Sequence, residues 1–594
     1  MLTTENIDEK LKYYHQEISY LRKKGAEFAQ NYPKLARRLE LTPEGSTDPH
    51  VERLIESFAF LTARLQKDIN QKFPEFTHQI LGALYPHLTT PVPSMAIAKF
   101  TPDISKMKSP SGQVISKRTE LTIKDVRGVN CRFQTTQNLH LWPITLESAD
   151  VVDLEDYKIF IPGSDVSRGI KLSLKSYGVP FSKLKLRHLD FFLAGDGGTT
   201  QRLYDAIFET RQPVFLHEEG KKHITKLAKG KIESLGFDYD QGTIPFPGNA
   251  HPAYRTLMEY FVFPEKIQFV SIGGLEFSKE ANTCEIIIPI SHNFKKKISK
   301  ANFVLGCTPV INLFKKTSDP LRLDHKSLHY KLVGDQRNER TCEIHTINKV
   351  FAVDDKTAEV KEISPYFSFN HWEANRKQSL YWTMQRETSM LGGHDTLLSF
   401  VDTDFDPQVL NVTTVYAEVN CTNRLMAEDI PMGAKLESLK ALPTRSITLM
   451  TTPTKTIMPT EVDGAYWKFI SHINLNHLSL IEGGAGNLKQ MLSLYETEIN
   501  KKVIEGIVDV ESRHVTRRIG KDAWKGFVQG VEVTITLDEK KYGANSIIMF
   551  GTVLRRFFAL YASINSFVEL KIKIKGSDKV WKHFPPMSGQ QNLL

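Results

Sequence analysis

Apolar positions recur at helical spacing through about residue 90. They fall on every second residue over much of the chain beyond it, and mix both periods near the carboxyl end. Leu11, Tyr14, Ile18, Leu21 and Phe28 mark a first helix that Pro33 interrupts or ends. Val51, Leu54, Ile55, Phe58, Leu61, Leu65 and Ile69 predict a second, with Asp48 as N-cap and Pro49 at the first helical position. Phe76, Ile80 and Leu84 suggest a third, and Pro86–Ser94 reads as a linker. Ile170, Leu172 and Leu174, and again Val415, Ala417, Val419 and Cys421, alternate with polar residues, as in half-buried strands. Ile286–Ile288 is a continuous apolar run, expected of a strand buried on both faces. Leu203–Phe208 and Tyr254–Phe261 read as short helices, and Gln241–Pro252 as a loop or internal boundary.

A second proline-rich stretch, Thr451–Pro459, precedes a region of mixed pattern. Tyr466–Leu480 and Leu488–Tyr495 read as helices. Val531–Leu537 and Val568–Ile574 alternate as strands, and between them a helix carries Ile547, Phe550, Leu554, Phe557, Phe558 and Tyr561. Helices on a small antiparallel sheet are expected there. The fold class is therefore α+β and multi-domain. Residues 1–90 form an N-terminal helical region, 91–250 a first β-rich domain, 251–460 a second, and 461–594 a C-terminal α+β domain. The helix beginning at Ser546 offers more apolar surface than one small sheet face needs, which predicts a protein interface, to a second copy of the chain; the other reading is that the preceding helices bury all of it.

Composition adds exclusions. With 41% hydrophobic and 24% charged residues, the 594-residue chain is an ordinary globular sequence rather than a disordered or fibrous one. A net charge of +9 is too diffuse to imply nucleic acid. Five scattered cysteines without a C-x-x-C pattern suggest neither a disulfide framework nor a zinc site, and fit a reducing compartment. No secretory signal and no run of about 18 apolar residues is found, which predicts a cytoplasmic chain without membrane insertion.

The search for chemistry is negative. Gly483–Gly486 and Gly195–Thr199 each precede a helix, but neither completes a phosphate-binding motif. His325 and His329 lack the glutamate of H-E-x-x-H, and His371-Trp372-Glu373 has no P-C-x-x-C downstream. No G-x-S-x-G elbow occurs. The expectation is no catalytic residue, no metal site and no cofactor. Lys571, Lys573 and Lys575 read either as a contact for an acidic partner or, preferentially, as the solvated face of an edge strand.

Several segments have a distinctive wording. LKYYHQEISYLRKKGAEFAQNYPKLARRLEL, DPHVERLIESFAFLTARLQKDI and LGALYPHLTTPVPSM resemble the amino-terminal signature of the type VI secretion baseplate family TssF, also called VasA or ImpG. Cys131–Ile144, Tyr254–Phe269, Gly306–His325, Cys421–Arg424, Trp467–Leu480 and Leu554–Leu570 continue the resemblance in order along nearly the whole chain. The resemblance implies a cytoplasmic scaffold, recruited to an inner-membrane-docked apparatus, with no reaction to catalyse. It implies a baseplate wedge with TssG, TssK and TssE around the spike hub, which primes the Hcp tube and sheath. The alternative is a hydrolase or anionic-surface-binding accessory protein of a secretion or phage-tail-like machine.

One residue points to a partner contact. At about 100° per residue, Phe60 falls about 180° from Val51, among Arg53, Glu56, Arg64 and Lys67. Arg53, Phe60, Arg64 and Lys67 are the candidate interface, with Phe60 anchoring a TssG-like helix. The other reading is that the chain's own first helix or a neighbouring domain covers Phe60.

Overall fold

The computed structural model describes residues 4–37, 41–42, 45–46, 48–63, 82, 89–107, 109–124, 127–162, 166–209, 212–219, 221, 224–227, 231–246, 252–277, 280–291, 294, 296–324, 326–354, 359–366, 380–402, 412–459, 484–495, 501–518, 527–543, 545–560, 562 and 566–589. The third helix expected around Phe76, the helix at Tyr466–Leu480, and His325, His371 and Glu373 lie outside them. The fold is α+β and divides into two compact units, Met1–Leu81 with Glu461–Lys468, and Gly82–Thr460 with Phe469–Leu594.

In the smaller unit, α1 (Thr4–Asn31) ends ahead of Pro33, which opens a short helix, Pro33–Ala36. A two-stranded ribbon, Leu41–Thr42 with Gly45–Ser46, leads to α2, residues 49–63. Asp48 caps α2 by accepting from the His50 N–H at 2.8 Å, so the cap and the proline behind it stand where the sequence put them.

The larger unit is strand-rich. At its centre is a closed, all-antiparallel six-stranded barrel with the cyclic order Cys307–Ile311, Met95–Pro102, Thr444–Leu449, Lys435–Ser438, Glu120–Lys124, Asn130–Thr135. Phe100, Leu121, Cys131, Phe133, Val310 and Leu449 are among the residues that fill its core. A five-stranded sheet has Thr283–Ile290 at its centre, where Ile286, Ile287 and Ile288 are all fully buried. A four-stranded sheet pairs His188–Leu193 with Phe269–Gly273. A larger mixed sheet runs through Glu343–Asp354 and Val412–Thr422, burying Val415, Ala417, Val419 and Cys421. The barrel and both smaller sheets draw strands from both sides of residue 250. Strand pairing thus crosses the proline- and glycine-rich stretch there, because sheets are closed by strands distant in sequence.

The described part of the expected linker, residues 89–94, is held against the second proline-rich stretch. Val92 pairs with Ile457, and the Thr451 and Thr454 hydroxyls accept from the Ile97 and Met95 N–H groups at 3.0 Å each. Thr89 to Ser94 is buried, with the Thr89 carbonyl taken by Arg386 and the Pro91 carbonyl by His345. Proline keeps these segments out of a ladder, and side chains satisfy the backbone instead.

The carboxyl end forms four strands, β1 (Ile507–Arg518), β2 (Phe527–Leu537), β3 (Phe567–Ile574) and β4 (Val580–Ser588), in sequential order. Contrary to the antiparallel expectation, β2 and β3 are parallel. The chain between them carries a helix, Ile547–Ala559, which returns it to the same end of the sheet as a βαβ crossover. Its apolar excess is spent within the chain. Besides β3 and β4, it packs on two helices, Gly197–Glu209 and Pro252–Val262. Tyr254 lies edge-on to Phe557, and Tyr260 stacks on Phe550 at 5.7 Å. Phe550, Leu554 and Phe557 are fully buried, so this helix leaves no apolar side for the interface expected of it. In chain order the three are α3 (Gly197–Glu209), α4 (Pro252–Val262) and α5 (Ile547–Ala559).

Candidate assembly surface

The smaller unit carries the candidate interface on α2. Arg22 of α1 reaches Glu52 of α2 through a 2.6 Å ion pair. On the side of α2 that carries Glu52, Ala59 is fully buried and Ala63 is 4% exposed. Val51, Ile55 and Thr62 flank that side and are half-buried. The remaining arc faces solvent with large apolar groups: Leu54 is 71% exposed, Phe58 59%, Leu61 58% and Phe60 60%.

This corrects the expected orientation of the helix. Leu54, Phe58 and Leu61 were assigned to the inner stripe, yet the buried face is centred about 120° round the helix from the middle of that stripe, on two alanines. Small side chains let α2 sit close to its own chain, whereas amphipathicity measures how apolar a face is and not which chain covers it. Ala59 and Ala63, one turn apart beside Glu52, were the sequence signal for the inner side. Phe60 is uncovered, and Arg53, exposed, lies within about 20° of it around the helix. Arg64 and Lys67 lie outside the described residues. Burying a leucine or phenylalanine is worth about 1.5–3 kcal/mol, so these exposed groups form a surface able to hold a partner.

Groups with possible chemistry are committed elsewhere. At the start of α3, Lys296 donates to the Thr199 hydroxyl at 2.6 Å and lies 3.7 Å from Asp196, whose carboxyl is held below its usual range chiefly by Thr199. His329 meets the Ser399 hydroxyl at 2.7 Å, but Asp324 accepts instead from Tyr330 at 2.9 Å. A shallow cleft is lined by His140, His188, Asp190 and Trp142. Ser271 donates to Asp190 at 2.6 Å, so the serine proton is held by a carboxylate and not by an imidazole. Among the described residues, no three His, Cys, Asp or Glu side chains gather as metal ligands, and no helix is long and apolar enough to cross a membrane.

The family profile described as type VI secretion system, TssF, matches residues 6–591. The chain belongs to the TssF family. It is 28% identical to the type VI secretion system component TssF1 of Pseudomonas aeruginosa, over 97% of this chain and 98% of that protein. Among solved structures, a chain of the type VI secretion TssK-TssF-TssG baseplate subcomplex is similar, with a TM-score of 0.72 and 24% identity over 90% of this chain and 99% of that one. A chain of the type VI secretion baseplate complex aligns with a TM-score of 0.57 and 23% identity over 97% and 99%.

The segments that resembled the TssF family have structural work in this fold. Asn312 donates to the Arg132 carbonyl at 2.7 Å and to Asn423 Oδ1 at 2.8 Å, and accepts from the Asn423 N–H at 2.8 Å. The pair thereby ties the barrel to the large sheet. Arg424, buried and at φ +53°, bonds the Glu339 and Gly392 carbonyls. In Tyr254–Phe269, Glu259 accepts from the Thr243 and Ile244 N–H groups at 2.7 and 2.8 Å and pairs with the buried Lys266.

Proposed function

We propose that this chain is a structural subunit of the type VI secretion baseplate wedge, and that it catalyses no reaction. It assembles with TssG, TssK, TssE and a second copy of itself around the spike hub, and so primes Hcp tube and sheath assembly. Family membership supports the reading, as does the company of the similar solved chains, which are parts of baseplate assemblies. The observation that carries it in this molecule is the uncovered apolar arc of α2. A scaffold chain needs a face that its own fold leaves bare, and Leu54, Phe58 and Leu61 supply one at i, i+4, i+7 spacing, the pattern by which a partner helix is read, with Phe60 exposed about 100° further round the helix.

The contact is proposed to be helix on helix, with Phe60 as anchor and Arg53, Arg64 and Lys67 as its polar surround. Phe60→Asp places a charge in that contact and touches nothing buried. Co-purification with a co-expressed TssG should be lost while the melting temperature stays within about a degree. Retained co-purification, or a loss of several degrees, would show that Phe60 serves the chain's own fold.

A further inference from the structure

Away from the assembly surface, the lysine row is committed within the chain. Lys571 and Lys573 stand on β3, which is an inner strand flanked by β2 and β4 and not the edge strand expected, and Lys571 donates to Glu532 at 2.8 Å. Two of the five cysteines offer more. Cys342 immediately precedes the strand Glu343–Asp354, and Cys421 lies near the end of its neighbour Val412–Thr422, paired with Ile344. The backbone at Cys342 is extended, with φ −132° and ψ 117°, so its side chain falls on the same face as that of Ile344 and diagonally across from Cys421.

Hydrogen bonds already draw the two segments together. Asn423 Nδ2 donates to the Thr341 carbonyl and Arg424 Nε to the Glu339 carbonyl, each at 3.0 Å. Both sulfurs sit over one glycine: a Cβ on Gly334 would fall 3.0 Å from Cys421 Sγ and 3.2 Å from Cys342 Sγ. Both thiols are free, and they hydrogen-bond each other. They are also unequal. Cys421 is fully buried, whereas Cys342 is 6% exposed. The Cys421 S–H holds the Cys342 thiol below its usual range against burial; the Lys316 and Arg424 charges pull the same way, and Asp335, ion-paired with Lys316, opposes them. The same hydrogen bond, with burial, pushes Cys421 up. A nucleophilic sulfur thus has a protonated thiol beside it. Burial pushes the Cys284 thiol up too, and that of Cys307 up to about 12, which leaves both protonated and inert.

We propose that Cys342 and Cys421 form an oxidation site for a small hydroperoxide, with Cys342 as the attacking sulfur and Cys421 as the resolving one. The Cys342 thiolate attacks a peroxide oxygen. The O–O bond breaks, a sulfenic acid forms, and the hydroxide released takes up the proton that Cys342 gave up and leaves as water. Cys421 sulfur then attacks Cys342 sulfur. The S–S bond forms, the S–O bond breaks, and the sulfenic oxygen departs with the Cys421 proton as a second water. Two sulfurs lose one electron each, and the peroxide gains both. The bridge fastens the turn Glu339–Thr341 to the segment where Asn423 joins the barrel to the large sheet. In a reducing compartment the dithiol is the resting state and the bridge is transient. The inference uses only this thiol pair and stands whether or not α2 meets a partner helix.

The test is mass spectrometry on the reduced full-length chain, exposed to a small molar excess of hydrogen peroxide, then denatured, alkylated and digested. Expected is the loss of two hydrogens from the intact chain, mapped to a cross-linked Cys342–Cys421 peptide and reversed by dithiothreitol, with Cys284 and Cys307 alkylated as before. C342S should abolish the bridge. C421S should leave Cys342 as a sulfenic acid that dimedone captures. Because Cys421 is fully buried, both variants are first checked by melting, and the wild-type peptide map decides alone if either is unfolded. Full alkylation of Cys342 and Cys421 after peroxide, or a bridge between other cysteines, overturns the proposal. Oxidation of Cys342 to a sulfinic acid without a bridge overturns the resolving role of Cys421.

Discussion

His345 is fully enclosed, with Nε2 donating to the Pro91 carbonyl at 2.8 Å. Burial, and then the nearby Arg386 charge, push its pKa down to about 4 against that hydrogen bond. The folded protein therefore keeps a neutral ring at a pH where the unfolded chain would protonate it. Its contribution is complete above the ordinary histidine value of about 6.5 and is lost as pH falls toward about 4, at most about 3 kcal/mol. Melting temperatures should fall across that window, and H345Q, which keeps an N–H for Pro91, should flatten the fall. An equal slope in the variant would assign the acid sensitivity to other groups. Lys266 and Glu259 form a second buried arrangement at this scale. K266A strands a carboxylate in the core and should cost about 3–5 kcal/mol, whereas E259Q/K266M should recover much of it, as read by chemical denaturation. In the sequence these two residues were marks of a family. Their partners at Thr243 and Ile244 belong to a preceding loop, and nothing in the local pattern announces that meeting.

Elements were legible where one period ran long enough. The strands Thr283–Ile290 and Val412–Thr422, the cap at Asp48 and the helix after Ser546 follow from a continuous apolar run, alternation, a capping residue and a helical stripe in turn. What each face meets was not legible. The stripe of α2 points outward, and the surplus face of α5 is covered by α3 and α4, because distant segments decide which apolar surface stays bare. Asp205 of α3 shows how such docking is fixed. Its carboxylate accepts from the Ser546 hydroxyl and from the Ile548 N–H at 3.2 Å, at the N-terminus of α5. Burial raises its pKa to about 7 in spite of these bonds. D205A removes an acceptor from a helix start and should cost about 1–3 kcal/mol, with faster amide exchange in the first turn of α5. D205N keeps an acceptor there and should sit close to wild type. If D205A leaves exchange unchanged, the carboxylate is not what pins α5.

At the scale of the whole molecule, the carboxyl end belongs to a larger body. Lys582 of β4 donates to the Phe208 and Glu209 carbonyls at the end of α3, and α5 lies between the sheet and two helices from far upstream. A fragment Glu461–Leu594 expressed alone would bare the rings that now meet Tyr254 and Tyr260. It should aggregate or bind a hydrophobic dye. A soluble, strictly monomeric fragment that binds no dye would show that the C-terminal region completes its own core. Sequence pattern located this region and its α+β character, but the burial of its helix by upstream segments is a long-range fact that no window of the sequence contains.

The barrel also sets a timetable. Its first strand, Met95–Pro102, lies between Cys307–Ile311 and Thr444–Leu449. On the ribosome, that strand emerges hundreds of residues before either neighbour exists. The ring closes only after about three-quarters of the chain has been synthesised, and until then unpaired edges are open to other nascent chains. The smaller unit's α1 and α2 emerge before all of this. On the proposed contact, a partner translated nearby meets the bare face of α2 while the barrel is still open, and a message truncated anywhere ahead of the codon for Leu449 yields a chain whose barrel cannot close, a product for proteases.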